Sequence, residues 1–432
     1  MTAIWIIVSL GVIFGTGYYA FALYAAWVFF RARRGGAESD ATPPVTLLKP
    51  VRGLAQGLEA NLESFFVLDY PDYQILFGVS DDRDPAIEVI ERLRRRYPHR
   101  DTDLVVNSRM LGTNRKVANL FHMMPRAKHE ILVISDSDIR VPRDYLRQIV
   151  RPLGDPAVGL ATCLYRAVGS QHAPARFEAL YVNTDFMPMV LVAHRVDQFR
   201  YAFGATIAIR RAALDAIGGF RAIADYLADD YQLGYRVTGK GYRLALSPLV
   251  VETHLDAQPW GALARHQLRW ARTNRVCRPR GYFFSVLTHG TSWAAVFLLL
   301  SGFSFTGWYV FLATTAVRLI QAAVIGRGYI GGPLTLGDAW LVLIKDWLVT
   351  AVWLTSFLGR TVEWGEEQLV LRPDGRMAPA VLGPVEAPAA LVLDGRATPS
   401  NIDAGRSTDA RWSEPTGDGS AYRGARPEDR TI

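Results

Sequence analysis

Four groups of residues in this chain are of types, and at spacings, that can do chemistry. Asp136 and Asp138 lie two residues apart just past the apolar run Ile131-Leu132-Val133-Ile134. Two carboxylates so placed at a strand end can hold a hard divalent cation, Mg²⁺ or Mn²⁺, and such a cation neutralises a diphosphate leaving group. Asp81 follows another apolar run, in Ser80-Asp81-Asp82-Arg83-Asp84-Pro85, where it can hydrogen-bond the nucleoside of a donor. Asp229-Asp230 opens a helical stretch, where a carboxylate separate from the Asp136-x-Asp138 pair can take a proton from an attacking hydroxyl. The fourth group is His266-Gln267-Leu268-Arg269-Trp270, in which Arg269 suits departing phosphate charge and Trp270 suits the wall of an acceptor site. Each group alone has a bland alternative, since aspartates cap helices and Arg-Trp beside an apolar run is ordinary at a membrane interface. Together they point to transfer from a nucleotide diphosphate.

Such residues need a scaffold that brings them to one edge. Strand-like runs occur at Val45-Leu48, Tyr73-Val79, Leu104-Val106, Ile131-Ile134, Gly159-Thr162, Ala205-Ile209 and Arg243-Leu246. Helical patterns such as Pro85-Arg95 and Arg143-Val150 separate most of them. That alternation predicts an α/β fold with a mostly parallel sheet, whose ligands sit at the carboxyl ends of the strands.

Half of the 432 residues are hydrophobic and long charge-free runs hold many of them, which together exclude a wholly soluble chain. Ala3 to Phe30 carries no Asp, Glu, Lys or Arg and is longer than the roughly 20 residues that span a bilayer. Arg31, Arg33 and Arg34 follow at once, so residues 1–30 read as an anchor and residues 31–280 as a cytosolic domain. A second charge-free stretch runs from Gly281 to Val317, too long for one span, and breaks at Ser301-Gly302 and Thr306-Gly307 predict a helical hairpin over roughly 285 to 324. Within Ala339-Leu358, Lys345-Asp346 fits an internal ion pair, a re-entrant bend or an interfacial helix. Residues 281–360 thus form a transmembrane or re-entrant region, 361–383 a cytosolic segment, and 384–432 a tail whose polar composition predicts disorder. Six arginines from Arg265 to Arg280 fit an interfacial helix on anionic lipid. The net charge of +7 comes with no base-reading module, so nucleic acid is not an expected partner. Two cysteines allow no disulfide framework and fit a reducing compartment.

The series Asp81, Asp136-x-Asp138, Asp230 and Arg269-Trp270 resembles the D, DxD, D, (Q/R)xxRW series of membrane-bound, inverting family 2-like glycosyltransferases of GT-A fold. Pro44-Val45-Thr46-Leu47-Leu48-Lys49-Pro50, Asn61-Leu62-Glu63-Ser64-Phe65-Phe66, Leu68-Asp69-Tyr70-Pro71 and Asp136-Ser137-Asp138-Ile139-Arg140-Val141 are similar to the ceramide glucosyltransferase family and its bacterial relatives. The stretch Gly112 to Leu120 also fits that family, and the resemblance places Lys116 near the nucleotide-sugar. His266 to Thr273 and Thr288-His289-Gly290 resemble the bacterial branch that glycosylates hopanoid lipids. Two departures stand out: His266 where Gln or Arg is usual, and acidic Gly365-Glu366-Glu367-Gln368 where relatives tend to be basic. The resemblance implies a multi-pass enzyme of the bacterial inner membrane that moves one sugar from a UDP-sugar to a lipid hydroxyl, with Asp230, at the family's third acidic position, as the general base and Asp229 beside it structural. The donor would be UDP-N-acetylglucosamine for a hopanoid polyol and UDP-glucose for ceramide. A processive polysaccharide synthase is disfavoured because its translocation channel needs more spanning helices.

Overall fold

The apolar runs that precede the acidic clusters become the central strands of a sheet. The computed structural model describes residues 2–32, 41–169, 172–197, 199–364 and 367–380. Arg33, Arg34, Gly365, Glu366 and the tail from 384 lie outside them. After α1 (Thr2–Ala32) the chain runs β1 (Val45–Pro50), α2 (Leu58–Phe66), β2 (Tyr73–Val79), α3 (Ala86–Arg96), β3 (Asp101–Val106), α4 (Arg115–Met123) and β4 (Ile131–Ile134). There follow β5 (Ile139–Arg140), α5 (Tyr145–Val150), β6 (Val158–Gly169), α6 (Ala173–Tyr181), a π-helical turn Val182–Phe186, and α7 (Met187–Val196). Then come β7 (Ile207–Arg210), α8 (Arg211–Ala216), α9 (Asp229–Gly239) and β8 (Arg243–Leu255).

These eight strands form one sheet in the order β3-β2-β1-β4-β7-β6-β8-β5. Every residue of β1, β2 and β4 is buried, as expected for strands covered by helices on both faces. Helix α3 shows how that cover is made: Ala86, Val89, Ile90 and Leu93 turn inward at helical spacing, while Arg94, Arg95 and Arg96 close its last turn, where a cation suits the helix dipole. The sheet is mostly parallel, as expected: β6 and β8 are parallel to each other and run in the direction of β1 and β4, and of these eight strands only β7 and β5 are reversed. β3, β2, β1 and β4 run parallel. The direction reverses at β7, which is antiparallel to both β4 and β6, and β5 is antiparallel to β8. This reversal matters because it carries the loop before β7 back to the carboxyl end of β4.

Beyond the sheet lie α10 (Trp260–Cys277), α11 (Pro279–Phe284), α12 (Gly290–Leu300), α13 (Phe305–Gln321) and α14 (Ala339–Ser356). Among the described residues, three helices are long and apolar enough to cross a membrane, and the bent pair α11–α12 makes a possible fourth. α12 and α13 form the hairpin expected from the sequence, broken at Ser301–Ser304. α1 lies antiparallel to α12: the Trp5 and Phe297 rings are 5.3 Å apart at one end, and Gly15 meets Gly290 towards the other. A Cβ on Gly15 would stand 2.3 Å from the Gly290 Cα, so this crossing needs glycine.

The Lys345-Asp346 pair is an internal one. Lys345 Nζ lies 2.6 Å from Asp346 Oδ1, and Arg318 of α13 reaches both Asp346 (2.9 Å) and Asp185 of the π-turn (3.0 Å). Lys345 also pairs with Asp185, so two cations and two anions neutralise one another among the apolar helices. Both ends of α14 rest on neighbouring helices: Asp338, just before it, pairs with Arg176 of α6, and Tyr282 of α11 donates to Ser356 Oγ (3.0 Å).

Most of the arginines expected to face lipid are engaged by protein. Arg265 pairs with Glu363 (2.7 Å), Arg272 donates to the Leu358 and Thr361 carbonyls, Arg275 donates to the Gly359 carbonyl (2.7 Å), and Arg278 pairs with Asp197. The basic face of α10 therefore grips the chain that follows α14. That chain forms a small antiparallel sheet, β9 (Thr361–Trp364), β10 (Glu367–Leu371) and β11 (Met377–Pro379), in the order β11-β10-β9. Glu367, one of the acidic departures, pairs with Arg115 at the start of α4.

Candidate active site

Asp136 and Asp138 stand where β4 ends, and the structure gives each a fixed partner. Lys116, in the first turn of α4, places Nζ 2.5 Å from Asp136 Oδ1 and 3.5 Å from Asp229. Thr253 of β8 donates to Asp138 Oδ2 (2.7 Å), and the Asp138 carbonyl accepts the His254 N–H (3.0 Å). Beneath them Lys49 of β1 is fully buried, donating to the Asp136 carbonyl (2.6 Å) and Ser135 Oγ (3.3 Å) with its ammonium 3.8 Å from the Phe65 ring centre. The backbone of the acidic loop is thereby held by a cation below the sheet edge.

Asp229 and Asp230 begin α9 and face the same place. Asp230 Oδ2 accepts the Gly204 N–H (3.0 Å), and its Oδ1 accepts the Tyr231 N–H (2.7 Å). Gly204, in the loop before β7, is the hinge of the arrangement: a Cβ there would lie 2.7 Å from Asp136 Oδ2 and 3.0 Å from Lys116 Nζ. Only a residue without a side chain lets Asp136, Lys116 and Asp230 converge on it. Asp230 is not a helix cap, because Ala228 occupies that position.

Charge and burial tune these groups in opposite directions. Burial, with the Asp229 charge beside it, pushes the Asp230 carboxyl up to about 6. Burial likewise raises Asp229 and Asp138, the latter helped by Asp136. Burial pulls the Lys49 ammonium down to about 7 against the attraction of Asp136 and Asp138. Burial would also lower Lys116, but Asp136 and Asp229 outweigh it and hold the ammonium above its ordinary value. Four carboxylates against two lysines leave the cluster short of positive charge, which suits a divalent cation. Among the described residues no three His, Cys, Asp or Glu side chains gather as a cage. The fit is therefore to an ion held by two carboxylates and completed by the phosphates of a substrate, the usual habit of Mg²⁺.

Asp81 lies two residues past β2, exposed, with Oδ1 accepting the Arg83 N–H (2.9 Å). β2 and β4 flank β1 in parallel, so Asp81 and Asp136 leave the same edge of the sheet about 10 Å apart at two strand spacings. Its neighbour Asp84 has a structural task, accepting the Gly53 N–H (2.9 and 3.0 Å) and the Ala86 N–H (2.9 Å).

Arg269 and Trp270 come from α10. Trp270 packs on His266 (ring centres 4.6 Å), Tyr181 (6.1 Å) and Phe186 (6.2 Å), and Phe186 lies 5.5 Å from Phe203, the residue before Gly204. An aromatic wall thus joins Trp270 to the loop that binds Asp230. The Arg269 guanidinium forms no ion pair among the described residues; burial lowers its pKa, with Glu178 opposing. Glu178 is buried in α6, with His266 Nδ1 2.8 Å from Oε1 and the Gln258 amide donating to Oε2 (2.5 Å). His266, the departure from the usual motif, therefore has a carboxylate partner of its own. Thr288-His289-Gly290 serves packing: Thr350 Oγ1 and His289 Nδ1 lie 3.0 Å apart, and Gly290 admits α1.

The sequence reading missed Lys49, Glu178, Gly204 and Thr253 as contributors and gave Asp229 no part in the charge balance. Lys49 stood within a quoted motif, but nothing in the sequence showed that it lies under Asp136.

Comparison with known proteins gives a family and a fold. The chain matches glycosyl transferase family 21 over residues 7–377. Ceramide glucosyltransferase 3 of Caenorhabditis elegans is 29% identical over 219 residues, covering 50% of this chain and 48% of the relative. Beta-monoglucosyldiacylglycerol synthase of Synechocystis is 25% identical over 306 residues, 68% of this chain and 60% of the relative. The match to ceramide glucosyltransferase 3 thus spans about half of that relative's length. In fold the chain is similar to a mannosyltransferase of Pyrobaculum calidifontis solved in complex with GDP-Man and Mn²⁺, with a TM-score of 0.50 at 19% identity, covering 81% of this chain and 97% of the other. The fold is that of GT-A nucleotide-sugar transferases.

Proposed function

The chain belongs to glycosyl transferase family 21, and on that premise we propose that it moves a single sugar from a UDP-sugar to a hydroxyl of a membrane lipid. The observation that carries this reading is the convergence at Gly204: a carboxylate poised near pH 6, Asp230, beside a lysine–carboxylate pair suited to a donor's phosphates. Asp230 accepts the proton of the acceptor hydroxyl as its oxygen attacks the sugar carbon. One displacement then inverts an α-linked donor and gives a β-glycoside. Lys116 and Arg269 offset charge on the departing diphosphate, Asp81 holds the nucleoside, and Trp270 walls the acceptor. Asp136 and Asp138 would hold one Mg²⁺ or Mn²⁺, since Lys116 and Thr253 engage only one oxygen of each; when bound, that ion neutralises the diphosphate.

The antiparallel packing of α1 on α12 supports a topology in which both helices enter the bilayer from the side of the sheet domain. We place residues 31–280 in the cytosol of a bacterial cell, where nucleotide-sugars are made, with α1 and residues 281–360 as the membrane part and 361–383 returning to the cytosol. α14, whose Lys345-Asp346 pair is neutralised internally by Asp185 and Arg318, packs beside α13 as part of this membrane region in this reading. The acceptor we favour is a hopanoid polyol with N-acetylglucosamine as the sugar, on the resemblance of His266 to Thr273; ceramide and diacylglycerol are the acceptors that the relatives' names offer. Purified protein given radiolabelled UDP-glucose or UDP-N-acetylglucosamine with each acceptor in turn decides among them. Labelled lipid with one pair supports the reading, and absence of labelled lipid with every pair contradicts it.

A further inference from the structure

A cavity of about 680 Å³ lies between α9, the end of α10 and the start of α11, a volume typical of small-ligand sites. Its lining includes none of Asp81, Asp136, Asp138 or Asp230. Three arginines, Arg200, Arg278 and Arg280, and three tyrosines, Tyr201, Tyr231 and Tyr235, form most of its chemistry. The tyrosine rings stack in a row, Tyr201 on Tyr231 (6.2 Å) and Tyr231 on Tyr235 (5.9 Å). Asp197 and Asp374 are the acids of the lining, so the arginines exceed them by one. Asp197 is taken by Arg278, while exposed Arg280 has no ion-pair partner among the described residues. A smaller cavity of about 250 Å³ shares Arg200 and Tyr235 and adds Arg236 and Lys240, extending the positive field.

The position of the cavity says what anion would fill it. Arg278, Pro279, Arg280 and Gly281 lead directly into Phe283 and Phe284, which are exposed, and then into apolar α12. On the other side, Asp197 ends α7, which packs on α1 (Phe29 and His194 rings 5.4 Å apart) near the Arg31 guanidinium that sits 5.1 Å over Trp27. Aromatic and basic residues together at a helix end mark the level of lipid headgroups. An anion seated here can keep its acyl chains in the bilayer beside Phe283 and Phe284.

We propose that this cavity binds the phosphate of an anionic glycerophospholipid, holding the α10–α11 junction against the membrane surface. The phosphate accepts from Arg280 and Arg278, and the tyrosines face the glycerol portion. The cavity adjoins the carboxylate cluster through Tyr231, whose N–H Asp230 accepts, but none of the four carboxylates lines it, and the proposal does not depend on which sugar or acceptor is used.

The test uses the full chain in detergent, titrated with fluorescent phosphatidylglycerol and, in parallel, fluorescent phosphatidylcholine. Arg280→Gln should weaken phosphatidylglycerol binding about fivefold, and Arg278→Gln with Arg280→Gln about twenty-five-fold, with phosphatidylcholine binding unchanged. Asp374→Asn removes a negative charge from the lining while keeping an oxygen acceptor for the turn at Arg376, and should strengthen phosphatidylglycerol binding about fivefold. A gain for phosphatidylglycerol with none for phosphatidylcholine is not what misfolding gives, since newly exposed apolar surface takes up both lipids. Equal loss for both lipids in the arginine variants, no gain in Asp374→Asn, or displacement of phosphatidylglycerol by millimolar inorganic phosphate would each overturn the proposal, the last by assigning the cavity to free phosphate.

Discussion

Replacing Asp230 with Asn separates a working base from a structural carboxylate. In the folded protein Asp230 is pushed from an ordinary 3.8 to about 6, so ionising it at neutral pH costs about 3 kcal/mol at 1.36 kcal/mol per pH unit. The sign is that of a raised acid: this group's contribution to stability is greatest below pH 4 and falls as pH rises from about 4 to 6. Asn removes that cost. It also keeps only one of the two hydrogen bonds, from Gly204 and from Tyr231, that the carboxylate accepts, and losing a bond to a charged group costs about 1.5–3 kcal/mol. The two effects nearly cancel, so denaturant unfolding at pH 7.5 should place Asp230→Asn within about 1.5 kcal/mol of the parent. Turnover should fall about 10²-fold to 10⁴-fold, because the amide cannot accept the hydroxyl proton. UDP release and lipid labelling on the same preparation read the rate. Normal turnover by a folded Asp230→Asn protein would refute the reasoning, and so would a destabilisation beyond 3 kcal/mol, which would make the carboxylate a structural strut.

The unsubstituted protein should lose kcat/KM as pH falls through about 6, where Asp230 takes up a proton; a flat profile from pH 5 to 8 contradicts that assignment. Lys116→Met removes a cation that lowers the Asp230 pKa, so the acid limb of the profile should move to higher pH while turnover drops. Gly204→Ala drives a methyl into Asp136 and Lys116 and should cut kcat at least about tenfold, with little change in thermal unfolding, since the crowded groups lie at the open edge of the sheet. Chelation should abolish transfer and added Mn²⁺ restore it, with Asp138→Asn needing more metal for half-activity; full activity in chelator contradicts a metal role. Asp81→Ala, at an exposed position, should raise KM for the UDP-sugar about tenfold and leave stability within about 0.5 kcal/mol.

The strands that end in acid were legible because each is a short apolar run closed by Asp, and β1, β2 and β4 bury both faces. The direction of β7 was not, since a four-residue strand buried on both sides carries no periodic mark of parallel or antiparallel pairing. Lys49 looked like one polar residue near the end of an apolar strand; its task depends on β1 lying beside β4, which are far apart in sequence. Glu178 was silent for the same reason, as its partner His266 sits on a helix 88 residues later. Lys345-Asp346 admitted three readings because the groups that decide among them, Asp185 and Arg318, come from two other segments. Likewise the arginines of α10 read as a free basic face until their acceptors in residues 358–363 came into place.

The central claim is that Asp230 and the Asp136–Lys116 pair serve one transfer to a lipid hydroxyl. It is tested most directly by incubating the purified protein with a UDP-sugar, a divalent cation and extracted bacterial lipid, then determining the product by mass spectrometry and anomeric NMR. The account predicts UDP released in equal amount to a lipid bearing one β-linked sugar. An α-linked product, a lipid carrying a polymer, or UDP released with free sugar and no glycolipid would contradict it.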